Sequence, residues 1–208
     1  MSTDDEIHAR QSEITGHPPR IAAQHTDDVL AAARAQLAKI AGVGSGKPMD
    51  LEQVPVPEML LTVMCHRELF ARLADVSVFL LQQPSLPKRD RQLMILRTAW
   101  LLGIPYIWGE HVKVSRNLGL SSEDIEQATV GSGSDHWDAH ERALLRAVEE
   151  LRANAMISDA TWAVLAERYD EQQLFELPVL VGQFSTVGYF QNALRIPLSR
   201  GNAGLAAR

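Results

Sequence analysis

The spacing of apolar residues limits the fold more than any other feature of this sequence. Apolar residues recur at intervals of three and four, and prolines and glycines divide them into segments. This spacing places side chains on one side of an α-helix, whereas a half-buried strand needs alternation every two residues. Such alternation is nowhere sustained. The pattern therefore predicts an all-α bundle with short connections and antiparallel neighbours.

Helix-breaking and capping residues give the expected boundaries of roughly eight helices. They cover residues 27–41, 59–81 as one or two helices, 88–102, 105–117, 122–130, 136–152, 162–169 and 171–194. Ser121 or Ser122, Asp135 and Ser158 are the expected N-caps, because their side chains accept bonds from free backbone N–H groups. The loop at residues 42–48 contains Gly-Lys but is not a phosphate-binding loop, since Ala41 and Pro48 stand where that motif needs Gly and Ser or Thr.

The length favours one domain, because 208 residues suffice for one sizeable core. Residues 1–26 lack sustained periodicity and are predicted to be a flexible N-terminal arm, leaving residues 27–208 as a single helical domain. No segment approaches the roughly 18 consecutive apolar residues of a membrane span, and the polar N-terminus is not a signal peptide. We therefore expect a cytoplasmic protein without a membrane partner.

Charge and cysteine content exclude several functions. The net charge is -6 and the pI is about 5.6, which disfavours nucleic acid as a partner because phosphate binding needs a basic face. Cys65 is the sole cysteine, so one chain holds no disulfide and no dithiol redox pair. We expect no cofactor and no metal. His136 and His140 have a ligand-like spacing, but the sequence shows no third ligand beside them.

The residues best suited to chemistry lie on the two predicted helices at 88–102 and 105–117. His111 lies in a mostly apolar stripe of the second helix, where burial and a facing partner would adjust its pKa for proton transfer. The break at Gly103 folds the helices together, so that Gln92 is expected to face His111. The spacing alone favours a core histidine that is bonded to a backbone carbonyl.

Two motifs resemble the carboxymuconolactone decarboxylase / alkylhydroperoxidase-D-like (AhpD-like) family. Residues 87–101, P-K-R-D-R-Q-L-M-I-L-R-T-A-W-L, resemble its helix R-x-R-E-L-x-I-L-R-x-A, and residues 106–112, Y-I-W-G-E-H-V, resemble Y-E-W-x-H-H-V. With shorter matches nearer the C-terminus, the resemblance covers roughly residues 55–198. It implies an AhpD-like helical bundle that forms homo-oligomers (dimer, trimer or hexamer) with pockets between helices.

The departures from the family change the expected chemistry. Peroxidase members carry C-x-x-C-x-x-x-H, and Ile104 and Ile107 stand at the two cysteine positions before His111. Gln92 replaces the acid of the family's proton relay, and Glu110 stands at the first position of its double histidine. Dithiol peroxidase activity is therefore disfavoured.

The resemblance implies a cofactor-free acid–base enzyme of lyase or isomerase type that acts on a small, partly apolar carbonyl or carboxylate compound. His111 is the predicted proton carrier, with Gln92 and Tyr106 orienting the substrate or holding its developing oxyanion. The predicted substrate contacts are Leu96, Trp100, Ile104, Ile107, Trp108 and Glu110. Two alternatives remain: a non-catalytic oligomeric binder of an apolar small molecule, and a peroxidase relative that has lost its thiol chemistry.

Overall fold

The protein is helical throughout the part of the chain that the structure describes. The structure is a computed structural model, and it describes residues 4–41 and 55–208. The helices are α1 (Asp4–Thr15), α2 (Asp27–Ala41), α3 (Glu58–Val63), α4 (Arg67–Gln82), α5 (Lys88–Leu101), α6 (Pro105–Asn117), α7 (Ser122–Val130), α8 (Ala139–Asn154), α9 (Asp159–Ala166) and α10 (Glu171–Leu194). Short 3₁₀ turns lie at Met64–His66 and Gly204–Ala206. The all-α prediction is confirmed, whereas the loop predicted at residues 42–48 lies outside the described ranges.

Helix α5 is the centre of the bundle. Every residue from Arg91 to Ala99 is buried, so this helix is enclosed on all sides rather than along one stripe. It contacts α6, α7, α8 and α10. A helix in this position offers its polar side chains only protein partners, which is why Gln92 and Arg97 take part in long-range contacts.

The turn at Gly103 brings α6 back against α5. Gly103 has φ +56, a left-handed conformation that favours glycine, and the Ile104 amide donates to the Ala99 carbonyl at 2.9 Å. The Asn192 side chain of α10 donates to the Gly103 carbonyl at 3.1 Å. Because the chain reverses here, the stripe of α6 that carries His111 lies against the Gln92 side of α5, as the sequence predicts.

Helices α2, α3 and α4 form a smaller apolar cluster beside the central bundle. Its buried members include Val29, Leu60, Met64 and Phe70. The cluster joins α10 through an edge-to-face contact between Phe70 and Phe190, whose ring centroids are 6.5 Å apart. Helix α4 thereby lies along α10 and leaves a space between them that α6 closes.

One predicted cap and two predicted helix starts are wrong. Helix α9 begins at Asp159 rather than at residue 162. The N-cap of α8 is Asp138, whose carboxylate accepts from the Glu141 amide at 2.8 Å, and Asp135 lies outside the helix. His136 therefore precedes the helix and does not share a helical face with His140. His136 contacts Asp124 at 2.8 Å, whereas His140 contacts Asp90 on α5 at 3.2 Å. Tertiary contacts hold the 135–137 segment in a turn that the sequence pattern does not reveal.

The predicted N-terminal arm contains α1, which the sequence pattern does not indicate. Its two buried apolar residues, Ile7 and Ile14, are a whole number of turns apart, a signal too sparse to count as periodicity. Helix α1 packs on the C-terminal 3₁₀ turn, where the Gln11 side chain accepts from the Leu205 amide at 2.8 Å. Among the described residues, no helix has the length and apolar content needed to cross a membrane.

Candidate functional site

An apolar cavity lies between α4, α6 and α10. Its volume is about 170 Å³, and most of its lining is aliphatic or aromatic. Helix α6 contributes Tyr106, Ile107, Glu110 and His111. Four predicted residues of this helix therefore come together on one wall, which is the feature that makes the cavity the candidate site.

His111 is held at its Nδ1 atom by Gln92. The two side chains meet at 2.9 Å through Gln92 Oε1, which also accepts from Ser115 Oγ at 3.3 Å. An amide oxygen can only accept, so Nδ1 carries the proton and Nε2 keeps its lone pair. The edge of the ring packs against Phe184, with centroids 5.1 Å apart. The predicted juxtaposition of Gln92 and His111 is present, and the partner is a side-chain amide rather than a backbone carbonyl.

The surroundings keep His111 neutral. Burial, and to a lesser extent the positive charge of Arg91, lowers the pKa of His111 to about 4. Arg91 is itself only 4% exposed, and its Nε and Nη1 atoms have no hydrogen-bond partner in the described part of the chain. Burial also lowers the pKa of this guanidinium, although Glu176 opposes the shift. At neutral pH the imidazole is therefore a base and not a cation.

Tyr106 and Glu110 form a polar corner of the same cavity wall. Burial, followed by the charge of Glu110, raises the pKa of Tyr106 to about 12, so the phenol remains protonated. Glu110 accepts from Ser199 Oγ and, at 2.8 Å, from Asn202 Nδ2. This carboxylate thus fixes the C-terminal segment to α6 and makes no bond to His111, in agreement with the roughly 100° between adjacent residues of a helix.

Several predicted substrate contacts do not line this cavity. Leu96, Ile104 and Trp108 have no exposed surface and pack in the central core. Trp100 packs against Trp108 at 4.9 Å, beneath the Arg208 guanidinium. Of the apolar residues in that prediction, only Ile107 reaches the cavity. The other four residues stay predicted substrate contacts, although their side chains do not line the cavity.

Gln92 also lies outside the cavity lining. It is fully buried behind the imidazole, so it reaches His111 but not a ligand. Its role in orienting the substrate stays a prediction, and the contact that the structure shows is with His111. Its Nε2 atom has no partner among the described residues.

Helix α4 supplies a wall of the cavity that the sequence analysis did not anticipate. Phe70, Leu73, Ala74, Ser77, Val78 and Leu81 line it. Their three- and four-residue spacing was a visible signal of one helical face, but the sequence does not show which helix that face meets. On α10, Phe184, Val187 and Gln191 line the cavity. Gln183 instead bonds α4, through the Leu73 carbonyl at 2.9 Å.

Cys65 lies apart from this site. It is exposed in the 3₁₀ turn after α3 and does not line the cavity. Apolar residues, Ile104 and Ile107, stand at the two positions where the peroxidases of the resembled family carry cysteines. No thiol is therefore available beside His111 within this chain.

Comparison with known proteins supports the resemblance. Residues 67–150 match the model of the carboxymuconolactone decarboxylase family. A comparison with curated protein sequences finds no match. The match to the family model spans α4 to α8 and includes both helices that carry Gln92 and His111.

Solved structures share the fold. An AhpD-like putative antioxidant defence protein from Agrobacterium tumefaciens is 24% identical, with a TM-score of 0.61 over 65% of this chain and 93% of that chain. A peroxidase-related protein with an AhpD core from Ralstonia eutropha JMP134 is 15% identical, with a TM-score of 0.69 over 88% and 94%. The debrominase Bmp8 is 12% identical, with a TM-score of 0.67 over 87% and 92%. At these identities the likeness establishes the AhpD-like fold.

Proposed function

We propose, on the basis of the resemblance to the carboxymuconolactone decarboxylase family, that this chain is a cofactor-free acid–base enzyme with His111 as its base. The observation that carries the proposal is the bond between His111 Nδ1 and Gln92 Oε1 at 2.9 Å, which leaves Nε2 with its lone pair. A neutral imidazole at the wall of an apolar cavity is suited to take a proton from a bound compound. The substrate is a small, largely apolar carbonyl or carboxylate compound.

In the proposed reaction, His111 Nε2 removes a proton from the carbon next to a carbonyl group. The electron pair moves to the carbonyl oxygen, to which the protonated Tyr106 donates a hydrogen bond in place of its bond with Ser199. The imidazolium then returns the same proton to the γ-carbon of a β,γ-unsaturated compound, which moves the double bond and isomerises the compound. The low pKa of His111 makes it a weak base in the empty cavity, and the negative charge that develops on the substrate favours its protonated form.

The test measures proton exchange at carbon. 4-Hydroxyphenylacetone in D₂O exchanges its side-chain protons, which ¹H NMR follows with and without protein. We expect catalysed exchange that falls by at least about 100-fold in His111→Gln, since general base catalysis contributes about that much. His136→Gln is the control, because His136 lies outside the cavity and bonds Asp124. Equal exchange in His111→Gln and wild type contradicts the proposal.

The lining of the cavity favours a second candidate, a non-catalytic binder of an apolar small molecule. Aliphatic and aromatic side chains of α4 and α10 make up most of the wall, and the charged forms of His111 and Tyr106 are both disfavoured. Such a protein binds p-xylene or a similar ring compound, and His111→Gln retains most of its affinity. Binding without catalysed exchange in wild type supports this candidate over the enzyme.

A further inference from the structure

Gln191 carries a buried hydrogen-bond acceptor at the wall of the cavity. The residue is 3% exposed, it lines the cavity, and its Oε1 atom has no hydrogen-bond partner among the described residues. An unsatisfied buried acceptor costs roughly 1–3 kcal/mol. Of the described side chains that line this cavity, Gln191 is the one with such an atom. It therefore has unused capacity to bind a ligand.

Gln191 and His111 lie at different depths of the cavity. His111 packs against Phe184 of α10, and Gln191 follows Phe184 on the same helix by two turns. Two turns correspond to about 10 Å along the helix axis. The wall between them is formed by Val187 and by apolar residues of α4. A ligand that reaches both residues therefore has an apolar body with a polar group at one end.

The size of the cavity restricts the apolar body to about one ring. The volume is about 170 Å³. Apolar cavities of about 150 Å³ in other proteins accept benzene. A single aromatic ring with two small substituents fits this space, and a sugar or a nucleotide does not fit its apolar lining.

We propose that Gln191 Oε1 accepts a hydrogen bond from a hydroxyl or ring N–H of a small aromatic ligand whose opposite end lies beside His111. This inference rests on the proposed function, because it specifies the substrate class for the same cavity. A hydroxyl or N–H group loses its water partners on entering the cavity and regains one at Gln191. An ether oxygen or a methyl group at the same place leaves Oε1 unsatisfied.

The experiment compares two ligands of the same shape. p-Cresol and p-xylene differ by one hydroxyl in place of one methyl, and their affinities are measured by calorimetry or by NMR titration of the labelled protein. Without an acceptor, the cavity prefers p-xylene because p-cresol must give up bonds to water. The quantity compared is the affinity for p-cresol divided by the affinity for p-xylene. We expect this ratio to be higher in wild type than in Gln191→Met by about fivefold or more.

Stability measurements and a matched variant show whether the effect is specific to Gln191. Gln191→Met removes an unsatisfied acceptor and keeps the side-chain length, so its melting temperature is expected to equal or exceed that of wild type. Gln183→Met is the control on the same helix. Its amide is already bonded to the Leu73 carbonyl and to Ser77 Oγ, so this variant loses stability but keeps the wild-type ligand ratio.

Two outcomes overturn the inference. One is an equal affinity ratio in wild type and Gln191→Met, which means that Gln191 does not bind the hydroxyl. The other is a preference of wild type for 4-methylanisole over p-cresol that Gln191→Met abolishes, which means that Gln191 offers a donor instead. The binding assay needs no turnover, so the two proposals can fail separately. A p-cresol preference that persists in His111→Gln supports the assignment of Gln191, whether or not wild type catalyses proton exchange.

Discussion

At the scale of single residues, burial is the main cause of the lowered pKa of His111, and two residues of α5 lie beside the imidazole. Gln92 bonds Nδ1 without supplying charge, and Arg91 supplies positive charge without a bond to the imidazole. Both residues thus orient or polarise the histidine while leaving it neutral. Gln92 stands where the family that this chain resembles carries an acid, and its uncharged amide bonds His111.

Gln92→Glu is expected to raise the pKa of His111. A carboxylate at this position accepts from the same Nδ1–H and stabilises the imidazolium by its negative charge. The shift is measured by NMR titration of the His111 ring. Gln92→Met, which has a similar size and no charge, is the control and should leave the pKa well below 6.5. An unchanged pKa in Gln92→Glu would show that the bond at 2.9 Å does not form in solution.

Arg91→Met is also expected to raise the pKa of His111, because it removes the positive charge that opposes protonation. Arg91→Lys keeps the charge and is the matched control, with a smaller shift in the same titration. Burial is the larger cause of the depression, so the pKa in Arg91→Met should remain below 6.5. A decrease in the pKa of Arg91→Met is the result that conflicts with this account.

At the scale of helices, the C-terminal segment holds α6 in place. Asn202 Nδ2 donates to the Tyr106 carbonyl at 3.0 Å, and Trp108 Nε1 donates to the Ala207 carbonyl at 2.9 Å. Both bonds join α6 to the C-terminal segment, and Trp108 also packs against Trp100 of α5. Both α5 and the C-terminal segment therefore hold α6 in place, which keeps His111 close to Gln92.

Gly109→Ala and Gly182→Ala are expected to change stability in opposite directions. A Cβ at Gly109 would lie 1.8 Å from Asn202 Oδ1, so the C-terminal segment must move, at a cost of about 1–3 kcal/mol. A Cβ at Gly182 in α10 meets nothing within 4 Å, and alanine favours the helix by up to about 1 kcal/mol. Urea unfolding of both variants gives the comparison. A destabilised Gly182→Ala together with a neutral Gly109→Ala would refute the packing described here.

Local signals in the sequence predict most helix boundaries. The ends of α6 and α10 agree with Pro105, Asn117, Glu171 and Leu194, because prolines and caps act within one turn. The start of α8 is misplaced because Asp135 and Asp138 both have side chains suited to an N-cap. The choice between them depends on partners outside the segment, such as Asp124 of α7, whose Oδ1 lies 2.8 Å from His136 Nε2. Local patterns do not contain that information.

At the scale of the whole molecule, the site is formed by the packing of three helices that are distant in sequence. The pairing of Gln92 with His111 follows from one turn between consecutive helices, so the sequence predicts it. The contact of α4 with α10, through Gln183 and Leu73, joins segments about a hundred residues apart, and no local spacing indicates it. The α6 wall of the site was therefore predictable, whereas the α4 wall and the depth of Gln191 were not.

The stability of the molecule is expected to depend on pH through His111. Its pKa is about 4 in the folded chain and 6.5 in an unfolded chain, so between these values the unfolded state binds the proton. The contribution of neutral His111 to the free energy of unfolding is complete above pH 6.5. It decreases by up to about 3 kcal/mol as the pH falls toward 4. Asp124 does not interfere, because its pKa is lowered by Arg89 and its contribution is lost only at a lower pH. Urea unfolding from pH 4 to 7 should show a smaller slope in His111→Gln, and equal slopes are the contrary result.

The most direct test of the central claim is a long-range ¹H–¹⁵N NMR spectrum of the His111 imidazole from pH 3 to 8. The two ring nitrogens have distinct shifts in each protonation state, so one titration reports the tautomer and the pKa together. We predict a neutral ring at pH 7 with the proton on Nδ1, a bare Nε2, and protonation only near pH 4. An imidazolium at pH 7, or a neutral ring with the proton on Nε2, would contradict the assignment of His111 as the base.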